Sequence, residues 1–356
     1  MARRYRRTDP MSSSPARFCS VVVCTYRRPK LLARCLRGLS KLDYRHFEVL
    51  VVDNAPDNKV ARDIAAQFGA LYVAEPVRGL SRARNTGARA SRGDIIAYLD
   101  DDSLPEPHWL SALEREFNDP AVMIVTGRII SMPKEAERFE EVPFAYSPFP
   151  LGRRTIDCSV SEWFEMANFG GVGDGGNMAL RRSAFDIWPG FDVRLGRGAL
   201  IGAGEEHCAF FSLIERGYRA IYTPDAMIGH PCPQTGSEKR AAALGHLCST
   251  SANVTMLFFE QPSYRARLLR YIFGAMLGKR RVWRIYNDNP LRVISRYEAT
   301  RAVFSGLVLY LKYGPNGKLS LQTAQANGCL KSLSKNQGQA GLVAYAAVPD
   351  HGRRSD

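Results

Sequence analysis

The chain has 356 residues, 45% hydrophobic and 24% charged, with a formal net charge of +14 at pH 7. This is globular composition, long enough for one large core plus a smaller appended unit, and it excludes a fibrous or wholly disordered chain. The basic surplus favours polyanionic partners: nucleic acid, anionic lipid or a phosphorylated substrate.

Residues 1–17 carry Arg3, Arg4, Arg6, Arg7 and Arg17 among Ser and Pro, so a disordered basic arm is expected. No apolar run follows these charges, and no signal peptide is expected. Phe18-Cys19-Ser20-Val21-Val22-Val23-Cys24-Thr25-Tyr26 reads as a buried strand ending in polar residues and Pro29. Leu31, Leu32, Cys35, Leu36 and Leu39 then recur at helical spacing. Phe47-Glu48-Val49-Leu50-Val51-Val52 is a second strand, stopping at Asp53-Asn54. A short helix to about Phe68, a strand at Leu71-Tyr72-Val73 and a helix from Ser81 to Ala90 follow. Strands alternating with helices in this way predict a parallel α/β sheet. The eight cysteines show no CxxC pair; Cys24 and Cys35 lie in apolar patterns and read as reduced core thiols, as a reducing cytosol allows.

The next strand, Ile95-Ile96-Ala97-Tyr98-Leu99, stops at Asp100-Asp101-Asp102. Its unbroken apolar character predicts a strand covered on both faces. Three carboxylates cannot follow it into the core, because unpaired buried charge is too costly. They belong at its carboxyl end, where open α/β sheets bind ligands. Taken alone, the triplet is either a solvated acidic loop or a site for a cation that relieves the mutual repulsion. Thr25-Tyr26 and Asp53-Asn54 are further polar strand tips. Together the three suit a nucleotide, whose base, ribose and diphosphate need separate partners along one crevice. Neither GxGxxG nor GxxxxGK[ST] follows the first strand, which argues against a dinucleotide fold and a P-loop.

Downstream, a helix over about 107–117 and a strand at Val122–Ile130 are expected, then an irregular, substrate-facing stretch from Ser131 to Gly173. Gly175-Gly176-Asn177 forms a Gly-rich approach to another strand, an ordinary turn or a close approach to ligand. Glu205-Glu206 opens a helix, where acidic residues also complement the helix dipole. Strands at Tyr218–Tyr222 and before Gly229-His230 complete the core. From Ser237 to about Tyr313 the chain reads as helical and basic. Arg265–Arg301 holds ten Lys and Arg against Asp288 and Glu298, interleaved with Leu268, Leu269, Tyr271, Ile272, Phe273, Trp283 and Ile285. Such helices lie on an anionic membrane surface or cap the sheet. The apolar stretches around Leu268–Leu277 and Ala302–Leu311 fall short of the ~20 residues a spanning helix needs. Beyond Gly314 a flexible tail is expected. The units expected are thus a basic arm (1–17), a catalytic unit (18–235), a basic helical extension (236–313) and a tail (314–356).

In this order the motifs resemble the family 2 glycosyltransferases. The matching residues are Val21 to Pro29, Val51-Val52-Asp53-Asn54, Gly79-Leu80-Ser81-Arg82-Ala83-Arg84-Asn85-Thr86-Gly87, Leu99-Asp100-Asp101-Asp102, Gly176-Asn177-Met178-Ala179 and Gly204-Glu205-Glu206. They run from about Phe18 to His230, nearly two thirds of the chain. The resemblance implies the nucleotide-diphospho-sugar transferase (GT-A) fold, a Rossmann-like, mainly parallel sheet flanked by helices, here with a helical C-terminal extension. It implies a nucleoside diphosphate sugar donor of UDP or GDP type and a glycan or lipid-linked acceptor.

The implied nucleotide-side residues are Thr25, Tyr26, Arg28, Asp53, Arg84, Asn85, Asp100 and Asp101. Asp102 would ligate Mn²⁺ or Mg²⁺, with Asp100 and His230 as further metal contacts; a lone His is more often structural. Gly175, Gly176 and Asn177 would shape the sugar pocket. The resemblance also implies inversion of the anomeric centre by direct displacement, which needs a general base; Glu206 is expected and Glu205 is second. The family's usual Glu-Asp pair is Glu-Glu here, so the longer side chain alters the geometry. Two other readings remain: a sugar-phosphate nucleotidyltransferase, which lacks its Gly-rich N-terminal loop here, and a catalytically dead homologue that still binds nucleotide sugar. A nucleic-acid binder leaves the carboxylates unexplained and shows no recognised motif, so no nucleic-acid partner is expected. The expected location is cytoplasmic, peripheral at the inner face of the membrane.

Overall fold

The computed structural model describes residues 16–141, 151–231, 233, 235–276 and 293–313. The basic arm up to residue 15, the tail from 314 and the stretch with Trp283 and Ile285 lie outside them.

The strand β1 (Cys19–Thr25) lies at the centre of a parallel quartet with β2 (Phe47–Asp53), β3 (Leu71–Ala74) and β4 (Ile95–Asp100), in the order β3-β2-β1-β4. The helices α1 (Pro29–Leu39), α2 (Val60–Gln67) and α3 (Leu80–Ala90) make the crossovers. Each turns on the pattern expected: Pro29 opens α1, and Leu32, Cys35, Leu36 and Leu39 face inward. Side-chain alternation divides the core between the two sheet faces. Val22, Val52 and Tyr98 pack on one side, while Val21, Val23, Val51 and Leu99 pack on the other. Cys19, Cys24 and Cys35 are free thiols, and Cys19 and Cys35 are fully buried.

Beyond β4 the parallel pattern ends. After the two-residue β5 (Leu104–Pro105), α4 (Trp109–Glu114), the long β6 (Val122–Met132) and the short β7 (Arg154–Ile156), β8 (Asn177–Arg181) enters antiparallel between β4 and β6. The two strands expected near 218 and 229 are one, β9 (Arg219–Pro231), parallel to β6. A register irregularity between Gly127 and Arg128 divides its pairing where the sequence suggested a break.

The stretch expected to be irregular holds the helix α5 (Trp163–Phe169), because its aromatic residues have a core to fill. Phe164 stacks on Tyr264 at 5.0 Å and Trp163 on Phe211 at 5.9 Å. After α6 (Ala184–Ile187), α7 (Glu205–Glu215) and its loop complete the site, and three helices follow: α8 (Gly236–Glu260), α9 (Arg265–Met276) and α10 (Arg296–Tyr313). The N-terminus of α8 carries a capping box, with Thr235 and Glu238 serving each other's backbone amides. Leu268 and Tyr271 of α9 are buried, and Arg267 pairs with buried Glu165 at 2.6 Å, so this face of the basic helix packs on the core. No described helix is long and apolar enough to cross a membrane.

Candidate active site

Register gathers the predicted tips. Thr25 of β1 pairs with Asp53 of β2, and Cys24 with Asp100 of β4, so three polar ends share one sheet edge. Because β8 runs the other way, Asn177 lies opposite Leu99, and Gly175-Gly176 arrive beside the carboxyl end of β4. β9 brings His230 to the same edge, held in place where Gly229 pairs with Leu104.

His230 Nε2 lies 3.2 Å from Asp102 Oδ1 and 3.9 Å from Asp100 Oδ2. Two carboxylates and an imidazole, with ligand atoms all within 4.8 Å of one another, form a donor set suited to a hard divalent cation. A Cβ on Gly176 would stand 2.7 Å from Asp100 Oδ2, so only glycine leaves this carboxylate its space. Burial pushes the Asp102 carboxyl up. The hydrogen bond and charge of His230, then the charges of Arg28 and Arg197, outweigh burial and hold it well below the usual carboxylate range.

Asp101 faces inward. Its carboxylate accepts from Thr25 Oγ1 at 2.7 Å and pairs with Arg28 at 3.2 Å, while Arg28 also reaches Asp102 at 3.0 Å. Burial pushes Asp101 up to about 6. The triplet thus divides at the end of β4 and the turn that follows: Asp100 and Asp102 border the crevice and Asp101 keys Thr25 beneath it. Asp53 is buried, accepting from the Ala55 amide at 3.0 Å and Tyr72 Oη at 3.1 Å. Tyr26 lies under the guanidinium of Arg78, 4.9 Å from its ring centroid.

The second cluster adjoins the first. Arg84 of α3 is 3% exposed, so it is an internal hub rather than a surface cation. It donates to Glu205 Oε1 at 2.8 Å and to the Gly175 carbonyl at 2.9 Å, with Asp100 at 3.8 Å. Glu205 is buried, and burial with the neighbouring Glu206 charge pushes its carboxyl up to about 7. Glu206 is half-buried and is raised by burial and by Asp174. The Oε2 atoms of both are buried with no hydrogen-bond partner among the described residues. A Cβ on Gly175 would meet Arg84 at 3.0 Å and Glu206 Cβ at 3.2 Å. The Gly175-Gly176 backbone therefore runs beside both the Asp-Asp-His cluster and the glutamates, and the Arg84 guanidinium is the side chain that reaches from Glu205 to Asp100.

Two expected contacts go elsewhere. Asn85 spends its amide on the Phe191 backbone, donating to the carbonyl and accepting from the amide, both at 2.8 Å, so it clamps the loop behind the site. Asn177 is fully buried: it accepts from Trp109 Nε1 at 2.8 Å and donates to the Arg128 and Ala226 carbonyls at 3.0 and 2.9 Å. As the first residue of β8 it joins β6, β9 and α4 instead of lining a sugar pocket. Asn177→Ala is expected to lower stability by about 1–3 kcal/mol through stranded buried partners, read by thermal denaturation. Arg34 was not foreseen. Buried on α1, it donates to the Asp102 carbonyl at 2.8 Å and to the Ala136 carbonyl at 3.1 Å, anchoring the strand tip. An arginine on an inward helix face was the available signal. Asp174, whose carboxylate accepts from the Gly176 amide at 2.8 Å, was likewise passed over within a Gly-rich run.

Comparison with known proteins places this geometry. The family described as Glycosyl transferase family 2 matches residues 20–188. The glycosyltransferase AglE of Haloferax volcanii is 31% identical over 231 residues, 62% of this chain and 68% of the relative. A pre-mycofactocin glycosyltransferase of Mycobacterium tuberculosis is 28% identical over 62% of this chain, and the match spans only 44% of that longer protein. Among solved structures, the mannosyltransferase PcManGT of Pyrobaculum calidifontis, in complex with GDP-Man and Mn²⁺, aligns over 89% of this chain and 81% of its own. The TM-score is 0.52 at 19% identity. Residues 1–349 of S. aureus TarS with UDP-GlcNAc align at TM-score 0.54 and 13% identity, over 83% of this chain and 81% of that one. Both likenesses concern the fold.

Proposed function

The chain belongs to glycosyl transferase family 2, and from that premise we propose that it is an inverting transferase. It would move a sugar from a nucleoside diphosphate sugar to a hydroxyl of a glycan or lipid-linked acceptor. One observation carries the reading: the Asp100–Asp102–His230 cluster and Glu206 both adjoin the bare Gly175-Gly176 backbone. Direct displacement needs the leaving group's charge neutralised on one side and a base on the other.

Asp100, Asp102 and His230 would hold Mn²⁺ or Mg²⁺, which when bound neutralises charge developing on the diphosphate. Thr25, held by Asp101, and Tyr26, Arg28 and Asp53 would hold the nucleoside half. Glu206 would take the proton from the acceptor hydroxyl. It is the better placed of the two glutamates, since Glu205 is committed to Arg84 at 2.8 Å. A carboxylate raised by burial is a stronger base near neutral pH than a solvated one. Arg84 would fix Glu205 and the Gly175 carbonyl, and so the glycine stretch beside the two clusters. A cytoplasmic location, at the inner face of the membrane for a lipid-linked acceptor, is part of the same proposal.

UDP- and GDP-sugars are the first donors to test, since the two fold neighbours were solved with one of each. Thermal-shift titration of nucleotide sugars with Mn²⁺ or Mg²⁺ provides the test, because a ligand of the folded state raises its apparent stability. Metal-dependent stabilisation by at least one donor is expected. If no donor stabilises the chain with either ion, the transferase reading fails.

A further inference from the structure

The helix α10 is turned the wrong way round for a soluble surface. Its inner face packs on α8. A Cβ on Gly306 would come within 2.8 Å of Ser251 Cβ, and Ser251 Oγ donates to the Val303 carbonyl at 2.6 Å. Tyr310 is buried. The outer face should therefore be polar, yet it carries Tyr297 (71% exposed), Phe304 (64%), Leu311 (48%), Leu307 and Val308. Positions 297, 304, 308 and 311 fall on one stripe at three-, four- and seven-residue spacing. Arg301 and Lys312 border it and are themselves exposed. The described residues of 236–276 and 293–313 hold eight Lys and Arg against three Glu.

We propose that the outer face of α10 docks on an anionic lipid surface. An apolar stripe edged by cations is the composition that inserts at the headgroup boundary, with Arg and Lys stems reaching the phosphates. A second copy is the poorer occupant, because it would bring Arg301 and Lys312 of one chain against those of another, on a protein with a net charge of +14. The sequence pattern pointed to the whole stretch Arg265–Arg301; in α9 Leu268 and Tyr271 are buried while Leu269 and Phe273 are exposed, and the longer exposed stripe among the described residues is on α10.

The docking face is joined to the base side of the site. Tyr310 Oη donates to Glu260 at 2.8 Å, Glu260 pairs with Arg194 at 2.7 Å, and Leu195, Ile201, Ala252, Met256 and Tyr310 form one buried cluster. The loop that carries Leu195 is anchored at its carbonyl by Ser81 Oγ (2.7 Å), and a Cβ on Gly196 would meet Glu205 at 3.1 Å. A bilayer holding α10 would therefore set the height of Glu205 and Glu206 above it. That consequence rests on the lipid-linked acceptor reading; the docking itself does not.

Sedimentation with vesicles tests it. The wild type is expected to pellet with phosphatidylcholine vesicles containing phosphatidylglycerol at low salt, and to partition roughly tenfold less or weaker onto phosphatidylcholine alone. Phe304→Glu with Val308→Glu is expected to lower partition onto anionic vesicles roughly tenfold while leaving donor binding and thermal stability intact. Wild type that stays in the supernatant with anionic vesicles at low salt overturns the proposal, as does a double variant that binds as well as wild type. Light scattering adds a third outcome: a wild-type dimer that the double variant reduces to monomer assigns the face to a second copy and also overturns it. Donor hydrolysis in solution, measured on both proteins, keeps the two readings apart, since it needs no vesicle.

Discussion

Glu206→Gln is expected to lower the rate constant for transfer by about 10²–10⁴-fold while leaving donor affinity nearly unchanged. Glutamine keeps the volume and polarity of the side chain but cannot accept the proton. The wild-type rate should rise with pH on the acid side through a value above the ordinary carboxylate range, because burial and the charge of Asp174 raise Glu206. That limb should disappear from the residual activity of the variant. A matching effect on stability has the opposite sign to the usual carboxylate case. The folded value lies above the unfolded one, so the contribution is present below about 4.5 and lost as pH rises through the folded value. At pH 8 the wild type therefore bears a folding cost at Glu206 that the variant lacks. Glu206→Gln should melt higher than wild type at pH 8, without donor, and the difference should shrink toward pH 4.5. A variant that loses activity and also loses stability at pH 8 would make Glu206 a structural residue.

Asp102→Ala is expected to abolish metal-dependent stabilisation by donor and to reduce transfer by more than the roughly 10–100-fold that losing a residue behind a metal ligand costs. The variant removes one of the three donor atoms of the Asp-Asp-His cluster. Calorimetric titration with Mn²⁺ and donor reads the loss directly. Asp101→Ala should behave differently. It strands the buried Thr25 hydroxyl while exposed Arg28 keeps its pair with Asp102, so its expected cost of about 1–3 kcal/mol falls on stability. If Asp102→Ala bound Mn²⁺ and donor as tightly as wild type, the Asp-Asp-His cluster would not be the metal site.

Much of the site was legible because its chemistry is local to strand ends. An apolar run that breaks at Asp100 must place its charges outside the core, and three such tips on parallel strands must share an edge. The family resemblance then named the partners. What failed was the side on which a polar residue falls. Asn85 and Asn177 read as ligand-facing amides because both lie in motifs. Nothing in their spacing tells whether an amide meets solvent or the Phe191 backbone, Trp109 and two carbonyls. Arg84 was recognised as part of the site but not as its buried hub, since Glu205 lies 121 residues away in the chain.

The sequence by itself determined the alternating α/β start and the polar strand tips. These follow from periodicity and from the cost of burying charge, which act within a single element. Only the tertiary structure decided the reversed entry of β8, the glycine stretch it brings beside the Asp-Asp-His cluster and Glu206, and which described helix of the basic extension carries the longer exposed apolar stripe. Each depends on what packs against an element from far along the chain, and α9 and α10 have apolar and basic residues alike. Leu268 found the core and Phe304 did not.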